Sequence, residues 1–290
     1  MTASTHLRFT HRPSNLGLFF TMLRNSRAHR SPPEAALNLR ASWHDIAIDQ
    51  QHLQDFHAAC GLDLQEGISI LYPMTLAYPL IQYMLSNTAA PMPMFRVLNT
   101  RMQMQQTRAL RPDDRPSVDM GVAALRSVPK GLELDVQVNV QVDGTTVWEC
   151  LMTFFYRGRF AGEPVPMVSD AGPRVREPED SASWRLPASG ALRFGKLSGD
   201  TNPIHYGRLY AKAFGFERDF AQPLLVIGQA LRRLPRLSSE RQRLEARLKG
   251  PVYYERELTM LTQRAPQGHC FEVYCAPNPK PSICVQVGLL

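Results

Sequence analysis

The chain has 290 residues, of which 44% are apolar and 20% charged, a composition typical of folded globular proteins. This length suits one large domain or two smaller ones. No run of about 18 apolar residues without charges occurs, so no membrane span is predicted. The five cysteines are scattered and form neither a disulfide framework nor a metal-binding pattern. They indicate a reducing compartment, and we expect a cytoplasmic protein without a bound metal.

The formal net charge of +7 is concentrated in two short regions. Residues 1–33 carry five arginines and no acid, and residues 232–249 carry seven basic residues against two acids. Each region contributes +5, so the rest of the chain sums to −3. Two local basic regions argue against a nucleic-acid-binding fold, and they suit either an anionic partner or plain solvation.

The basic N-terminal extension, residues 1–36, allows two interpretations. Its composition is that of a mitochondrial transit peptide, which would place the protein in that organelle. The alternative is a short amphipathic helix that docks on the body of the protein. We favour the helix, because Pro32 and Pro33 would end such an element. Neither interpretation bears on the chemistry.

The first predicted domain, residues 37–160, begins with a strand near 39–49 and a helix that ends at Gly61. On this helix His52 and His57 are predicted to be exposed rather than ligands.

Residues 71–87 are apolar almost all round, which predicts a buried helix. Pro79 inside this helix predicts a kink or a later helix start. Strands follow at 96–110 and, most clearly, at 132–142, where strict alternation indicates an antiparallel strand with one face in water. The Asp143–Gly144 pair predicts the hairpin turn into the returning strand. A buried helix followed by long antiparallel strands predicts an α+β layer in which a sheet wraps around one helix.

Residues 161–183 contain four prolines and two glycines without periodicity, so they are predicted to be a linker. The second predicted domain, residues 184–290, repeats the order of the first, with a buried helix at 222–234 followed by strands. Tyr253 and Tyr254 are predicted to be strand residues outside any site. Because both buried helices begin near a proline and precede strands, we infer two similar halves packed as a pseudo-dimer. We expect either a monomeric pseudo-dimer or a homodimer.

The candidate catalytic residues lie in the stretch "LSGDTNPIHY", residues 197–206. Such residue types form a tight loop, which can direct Asp200 and His205 at one point. A carboxylate and an imidazole at one point suit general acid–base chemistry on water. The simpler alternatives are that Asp200 caps the following helix and that His205 makes a structural hydrogen bond.

The motif Ser-Gly-Asp-x-Asn-Pro-x-His, residues 198–205, resembles the signature of the MaoC-like hydratases and dehydratases. The similarity is strong over residues 193–231. It implies a double hot-dog fold of the α+β class, with two curved antiparallel sheets each wrapped around a central helix. It also implies that residues 37–160 form a non-catalytic module that helps to shape the acyl pocket, and that residues 184–290 carry the catalytic loop.

The same resemblance implies a reversible hydration of trans-2-enoyl thioesters of CoA or acyl carrier protein to (3R)-hydroxyacyl thioesters, without a metal or redox cofactor. Asp200 and His205 match the catalytic pair of the family, and Asn202 matches the residue that orients the loop. Ser198, Gln222 and Leu224 are candidate substrate-binding residues. The phosphates of the thioester carrier are expected near an arginine cluster, for which residues 232–249 are the candidate.

One position departs from the family pattern. The family's oxyanion donor is a backbone N–H at the start of the central helix, and Pro223, which has no N–H, stands there. The Leu224 amide, the Gln222 side chain or a shifted substrate are the conceivable replacements. A binding module without turnover therefore remains an alternative. A thioesterase is disfavoured, because residues 222–234 contain no carboxylate.

Overall fold

The computed structural model describes residues 5–25, 33–93, 96–160, 162–168, 172–237 and 239–290. The strands of this part of the chain are β1 (Thr5–Phe9), β2 (Leu39–Trp43), β3 (Leu98–Gln106), β4 (Ser117–Val128), β5 (Gly131–Val142), β6 (Thr145–Arg157), β7 (Asp180–Arg185), β8 (Gln242–Leu248), β9 (Glu257–Ala265), β10 (Gly268–Cys275) and β11 (Ile283–Leu289). Its α-helices are α1 (Asn15–Asn25), α2 (Gln50–Cys60), α3 (Met74–Ser86), α4 (Ala191–Ser198), α5 (Arg208–Ala213) and α6 (Pro223–Leu231). Short 3₁₀ helices lie at Pro33–Asn38, Leu64–Glu66, Ala188–Gly190 and Pro203–His205.

All of these strands join one sheet in the order β1-β2-β4-β5-β6-β3-β8-β11-β10-β9-β7. The strands before residue 160 form one side of the sheet, which we call the first half. The strands after residue 179 form the other side, the second half. The halves meet where β3 pairs antiparallel with β8, with Met104 opposite Leu244. One continuous sheet therefore spans both halves.

Each half contains a largely buried helix, α3 in the first and α6 in the second. Both helices contribute to one apolar core that extends through the two halves. Because such helices expose almost no apolar face, they are stable only when a sheet covers them. The architecture is the α+β double hot-dog fold. None of the helices in the described ranges has the length and apolar character that crossing a membrane requires.

The predicted helix at 71–87 begins at Met74 and continues through Pro79, so the proline does not delay its start. The predicted turn at Asp143–Gly144 is present, with positive φ values of 50° and 76°. In the predicted linker, β7 already begins at Asp180 and pairs with β9. The boundaries of the two predicted domains otherwise stay a prediction.

The N-terminal extension contributes two elements to this body. Helix α1 packs against α3, and the Tyr83 hydroxyl donates to the Ser14 carbonyl at 2.8 Å. Strand β1, which the sequence did not predict, pairs in parallel with β2 at the edge of the sheet. Pro32, which was expected to end the docked element, lies outside the described residues.

The alternation in β5 correctly predicts the strand, but its polar face is not in water throughout. Glu133 is fully buried and Asp135 is only 7% exposed. Arg126 of β4 forms ion pairs with both carboxylates, at 2.9 Å and 2.6 Å. The Val168 amide also donates to Glu133, so the segment that follows β6 covers this face. The expectation of one wet face is wrong here because a sequence pattern does not show what a distant loop covers.

The prediction that His52 and His57 are exposed is also wrong. Helix α2 packs against both α4 and α6, which covers more than one of its faces. His57 is 2% exposed, and its Nε2 accepts from the Ser69 amide at 3.3 Å. His52 is partly buried, and its Nε2 lies 2.9 Å from the Leu197 carbonyl at the end of α4.

Candidate active site

The loop that carries the motif is shaped by local turns. Helix α4 ends at Gly199, whose φ of 80° is accessible to glycine at little cost. The chain then turns so that the Asp200 amide donates to the Ser198 hydroxyl at 3.2 Å. Asn202 caps the 3₁₀ helix at Pro203–His205, since its Oδ1 accepts from the Ile204 amide at 3.2 Å. Ser198 and Asn202 thus hold the loop that presents Asp200 and His205.

The two titratable residues of the motif face one another. Asp200 Oδ2 lies 3.1 Å from His205 Nε2. Their residues are only 6% and 5% exposed, and both line the same cavity. The alternative that Asp200 merely caps a helix does not fit, because Asn202 is the residue that makes the cap.

The imidazole makes a second contact that fixes its tautomer. His205 Nδ1 lies 2.9 Å from the Phe220 carbonyl oxygen. A carbonyl oxygen only accepts, so Nδ1 carries a hydrogen. In a neutral ring Nε2 would then present a lone pair to the Asp200 carboxylate. The 3.1 Å contact therefore requires one proton between the two groups, either on Nε2 or on Oδ2.

The other carboxylate oxygen is held from both halves of the protein. Asp200 Oδ1 accepts from the Asn202 amide at 3.2 Å and from Gln82 Nε2 at 3.1 Å. Gln82 lies on α3, in the half that the resemblance predicted to be non-catalytic. No pattern in the sequence was taken to predict a role for this residue. Its signal is weak but present: a lone glutamine within the otherwise apolar run "YPLIQYML".

The cavity beside Asp200 and His205 is mostly apolar and lies between the halves. Residues of the first half that line it come from α3, β3, β6 and the segment before β3, and the rest come from the motif loop and the start of α6. The apolar lining residues are Val97, Leu98, Met102, Phe154, Ile204, Phe220, Pro223 and Leu224. Ser198, Asn202 and Gln222 also line it, so the structure brings all six predicted site residues together.

Gln222 and Tyr254 form the polar end of this cavity wall. Gln222 is 1% exposed, and its Oε1 accepts from the Tyr254 hydroxyl at 3.3 Å. Its Nε2 has no hydrogen-bond partner among the described residues. The prediction that Tyr254 is a strand residue remote from the site is wrong, because it precedes β9 and contacts the site. Tyr253 likewise precedes β9, although it forms an isolated bridge with Phe220.

Three tyrosines surround the Asp200 carboxylate. Burial, and then the charge of Asp200, raise the pKa of Tyr78 well above its usual value. Burial and then Asp200 also raise the pKa of Tyr206. The pKa of Tyr254 is raised by burial first and then by Asp219 and Asp200. All three hydroxyls therefore stay protonated at neutral pH and leave the proton chemistry to Asp200 and His205.

The arginines of residues 232–249 do not line this cavity in the described part of the chain. Arg232 follows the end of α6, about 13 Å from its start, given a rise of about 1.5 Å per residue. Arg247 is 3% exposed and pairs with Glu245 at 2.8 Å, so it is not available to a phosphate. Among the described residues no group of three His, Cys, Asp or Glu is arranged to hold a metal ion.

Known proteins that resemble this chain in sequence or in fold include dehydratases. No family model matches the chain. It is similar to 3-hydroxyacyl-thioester dehydratase X of Mycobacterium tuberculosis, with 24% identity over 217 residues that cover 74% of this chain and 76% of the relative. The crystal structure of HtdX from the same organism superposes with a TM-score of 0.73 at 21% identity, covering 87% of this chain and 100% of that one.

A MaoC-like dehydratase from Phytophthora capsici superposes with a TM-score of 0.71 at 18% identity, covering 90% of this chain and 98% of that one. At such identities the structural likeness establishes the fold. The motif from Ser198 to His205 is intact, and the sequence relative is named as a dehydratase. The chain is thus similar in sequence to a 3-hydroxyacyl-thioester dehydratase and shares the fold of the MaoC-like dehydratases.

Proposed function

We propose that the protein is a hydro-lyase that adds water to trans-2-enoyl thioesters and removes it from (3R)-hydroxyacyl thioesters. The observation that carries this proposal is the 3.1 Å contact between Asp200 Oδ2 and His205 Nε2 in the wall of an apolar cavity. The dehydratase relative supports the same class of reaction. The substrate is an acyl thioester of CoA or of acyl carrier protein.

The pair supplies both proton transfers that hydration needs. A water that hydrogen-bonds to Oδ2 and Nε2 lies beside C3 of the enoyl group. With the pair charged, Asp200 takes a proton from this water as the oxygen bonds to C3, and His205 gives its Nε2 proton to C2. The proton on Oδ2 then returns to Nε2, so the pair ends as it began. Dehydration is the reverse sequence.

The negative charge that develops on the thioester oxygen requires a hydrogen-bond donor. Pro223 has no N–H to offer at the start of α6. The Gln222 amide is buried beside it, with Oε1 held by Tyr254 and Nε2 without a partner among the described residues. We assign Gln222 Nε2 as the donor. The Tyr254 hydroxyl would then orient the amide.

The test is to measure the hydration of crotonyl-CoA and of crotonyl carrier protein through the loss of the enoyl absorbance. The wild type is expected to be active, and chiral analysis of the product to give the (3R) isomer. Asp200→Asn and His205→Ala are expected to lower kcat by about 10²- to 10⁴-fold while circular dichroism stays unchanged. Full activity in either variant would refute the assigned pair.

Two other results identify the alternatives. An inert wild type that still binds crotonyl-CoA would make the protein a binding module. Release of free CoA, detected with a thiol reagent, would make it a thioesterase. Hydration without CoA release on either carrier supports the hydro-lyase.

A further inference from the structure

Helix α3 carries a polar side chain in a place where the core is otherwise apolar. Gln82 is 1% exposed, and its Nε2 donates to Asp200 Oδ1 at 3.1 Å. A buried amide costs free energy where it is not hydrogen-bonded, and this contact satisfies the amide nitrogen of Gln82. The contact joins two residues that are 118 positions apart and belong to different halves.

The orientation of the Gln82 amide is set by the carboxylate. Its Oε1 has no hydrogen-bond partner among the described residues. The reverse orientation would place Oε1 against Asp200 Oδ1, where two acceptors repel. The amide therefore gives its hydrogen to Asp200.

This contact separates the roles of the two carboxylate oxygens. Oδ1 is held by Gln82 Nε2 and by the Asn202 amide, at 3.1 Å and 3.2 Å. Oδ2 faces His205 Nε2. Rotation of a carboxylate about its last bond is soft and nearly two-fold, so a side chain in a pocket needs such donors to hold one orientation. With Gln82 removed, the Asn202 amide still donates to Oδ1 and the Tyr78 hydroxyl still hydrogen-bonds Asp200, but no side chain of α3 donates to Oδ1 at the position of the amide.

We propose that Gln82 is a positioning residue, and that the first half thereby takes part in the chemistry instead of only shaping the pocket. Gln82 acts through Asp200: it turns Oδ2 toward His205 and stabilises the carboxylate as the acceptor of the proton from water. This inference rests on the proposed hydro-lyase activity.

The first variant is Gln82→Met, which keeps the volume and removes the donor. Loss of a hydrogen bond to a buried charged group is expected to lower kcat by about tenfold to a hundredfold. KM is expected to change by less than about threefold, because Gln82 does not touch the thioester in this scheme. The matched control is Gln229→Met on α6. Gln229 Nε2 also bridges the halves, to the Ala59 carbonyl at 3.0 Å, but does not contact Asp200.

The second variant, Gln82→Glu, distinguishes positioning from a structural role. A protonated carboxyl at this position donates to Asp200 and replaces the lost bond, whereas an ionised one repels Asp200. The variant is therefore expected to keep activity at low pH and to lose it as the pH rises, in a range where the wild type stays active. Gln82→Met is expected to be slow at every pH.

The other titratable groups around Asp200 do not account for such a profile. His205 is shared by the wild type and all variants. The hydroxyls of Tyr78, Tyr206 and Tyr254 have raised pKa values and stay protonated throughout the assay range. The Arg218–Asp219 pair lies beside Tyr254 and is unchanged by the substitution.

Each outcome has one meaning. If the wild type does not hydrate crotonyl thioesters, the proposed function has failed. If the wild type is active and Gln82→Met has an unchanged kcat, the positioning role is refuted alone. A parallel loss in Gln82→Met and Gln229→Met, with no low-pH recovery in Gln82→Glu, refutes it as well. A selective loss with low-pH recovery supports it.

Discussion

The ring of Pro79 lies directly against Gly199, the residue that precedes Asp200. A Cβ atom on Gly199 would lie 2.6 Å from Pro79 Cγ, and Gly199 has a φ of +80°. Both the backbone conformation and the available space therefore select glycine. The same helix that carries Gln82 thus also fixes the position of the Asp200 loop from the opposite half of the protein.

Gly199→Ala is expected to reduce both stability and kcat. The left-handed conformation alone costs a non-glycine residue about 1–2 kcal/mol, and contact with the rigid proline ring adds to this. Gly215→Ala is the matched control, because Gly215 has a φ of +85° but nothing within 4 Å of its Cβ position. Urea unfolding and crotonyl-CoA kinetics on both variants measure the difference. Equal losses in the two variants would show that Pro79 does not restrict the loop.

Replacement of Gln222 tests the assigned oxyanion donor. Gln222→Leu is expected to lower kcat by about 100- to 1000-fold, the usual effect of removing one such donor. Tyr254→Phe is expected to have a smaller effect, because the hydroxyl only orients the amide. Steady-state kinetics with crotonyl-CoA measure both.

Pro223→Gly offers the complementary gain of function. It supplies a backbone N–H at the first position of α6, and in the Gln222→Leu background we expect it to restore part of the lost kcat. If Gln222→Leu keeps its full rate, the donor is another group, with the Leu224 amide as the first candidate.

The buried cluster of Arg126, Glu133 and Asp135 makes a prediction about stability. Arg126→Met leaves two buried carboxylates without their cation, which is expected to cost about 3–5 kcal/mol in the free energy of unfolding. The control is Arg115→Met, since the Arg115–Asp45 pair is largely exposed and its loss should barely move the urea midpoint. A small loss for Arg126→Met would mean that water or a rearranged segment satisfies both acids.

The burial of His57 predicts that the folded protein loses stability in acid. Burial lowers the pKa of His57 to about 4, against 6.5 for an ordinary histidine. Between these two values the unfolded chain binds a proton that the folded chain does not. The free energy of unfolding therefore decreases as the pH falls through this window, by up to about 3 kcal/mol from this residue.

His57→Gln tests this assignment, because the glutamine oxygen can still accept from the Ser69 amide. The variant is expected to lose less stability than the wild type between pH 6.5 and pH 4, the window set by the pKa values of His57. Urea unfolding at a series of pH values gives the slopes of the wild type and the variant, and identical slopes would assign the acid sensitivity to other groups.

Several features followed from the sequence because they depend on neighbouring residues. The strand β5, the turn at Asp143–Gly144 and the C-terminal end of α2 at Gly61 reflect local periodicity and local φ preferences. The motif from Ser198 to His205 is equally local. Its turn and its Asn202 cap are made within eight residues, so the convergence of Asp200 and His205 could be predicted.

The features that the sequence did not reveal involve contacts between distant segments. Burial of His57 depends on how α2 packs against two other helices, and burial of Glu133 depends on the segment after β6. The contacts of Gln82 and Tyr254 with the site could not be predicted for the same reason. A single glutamine in an apolar helix is conspicuous in the sequence, but only the packing of α3 against the motif loop places its amide on Asp200. The sequence by itself determined which groups can do the chemistry, and the tertiary structure decided which groups from the other half hold them in place.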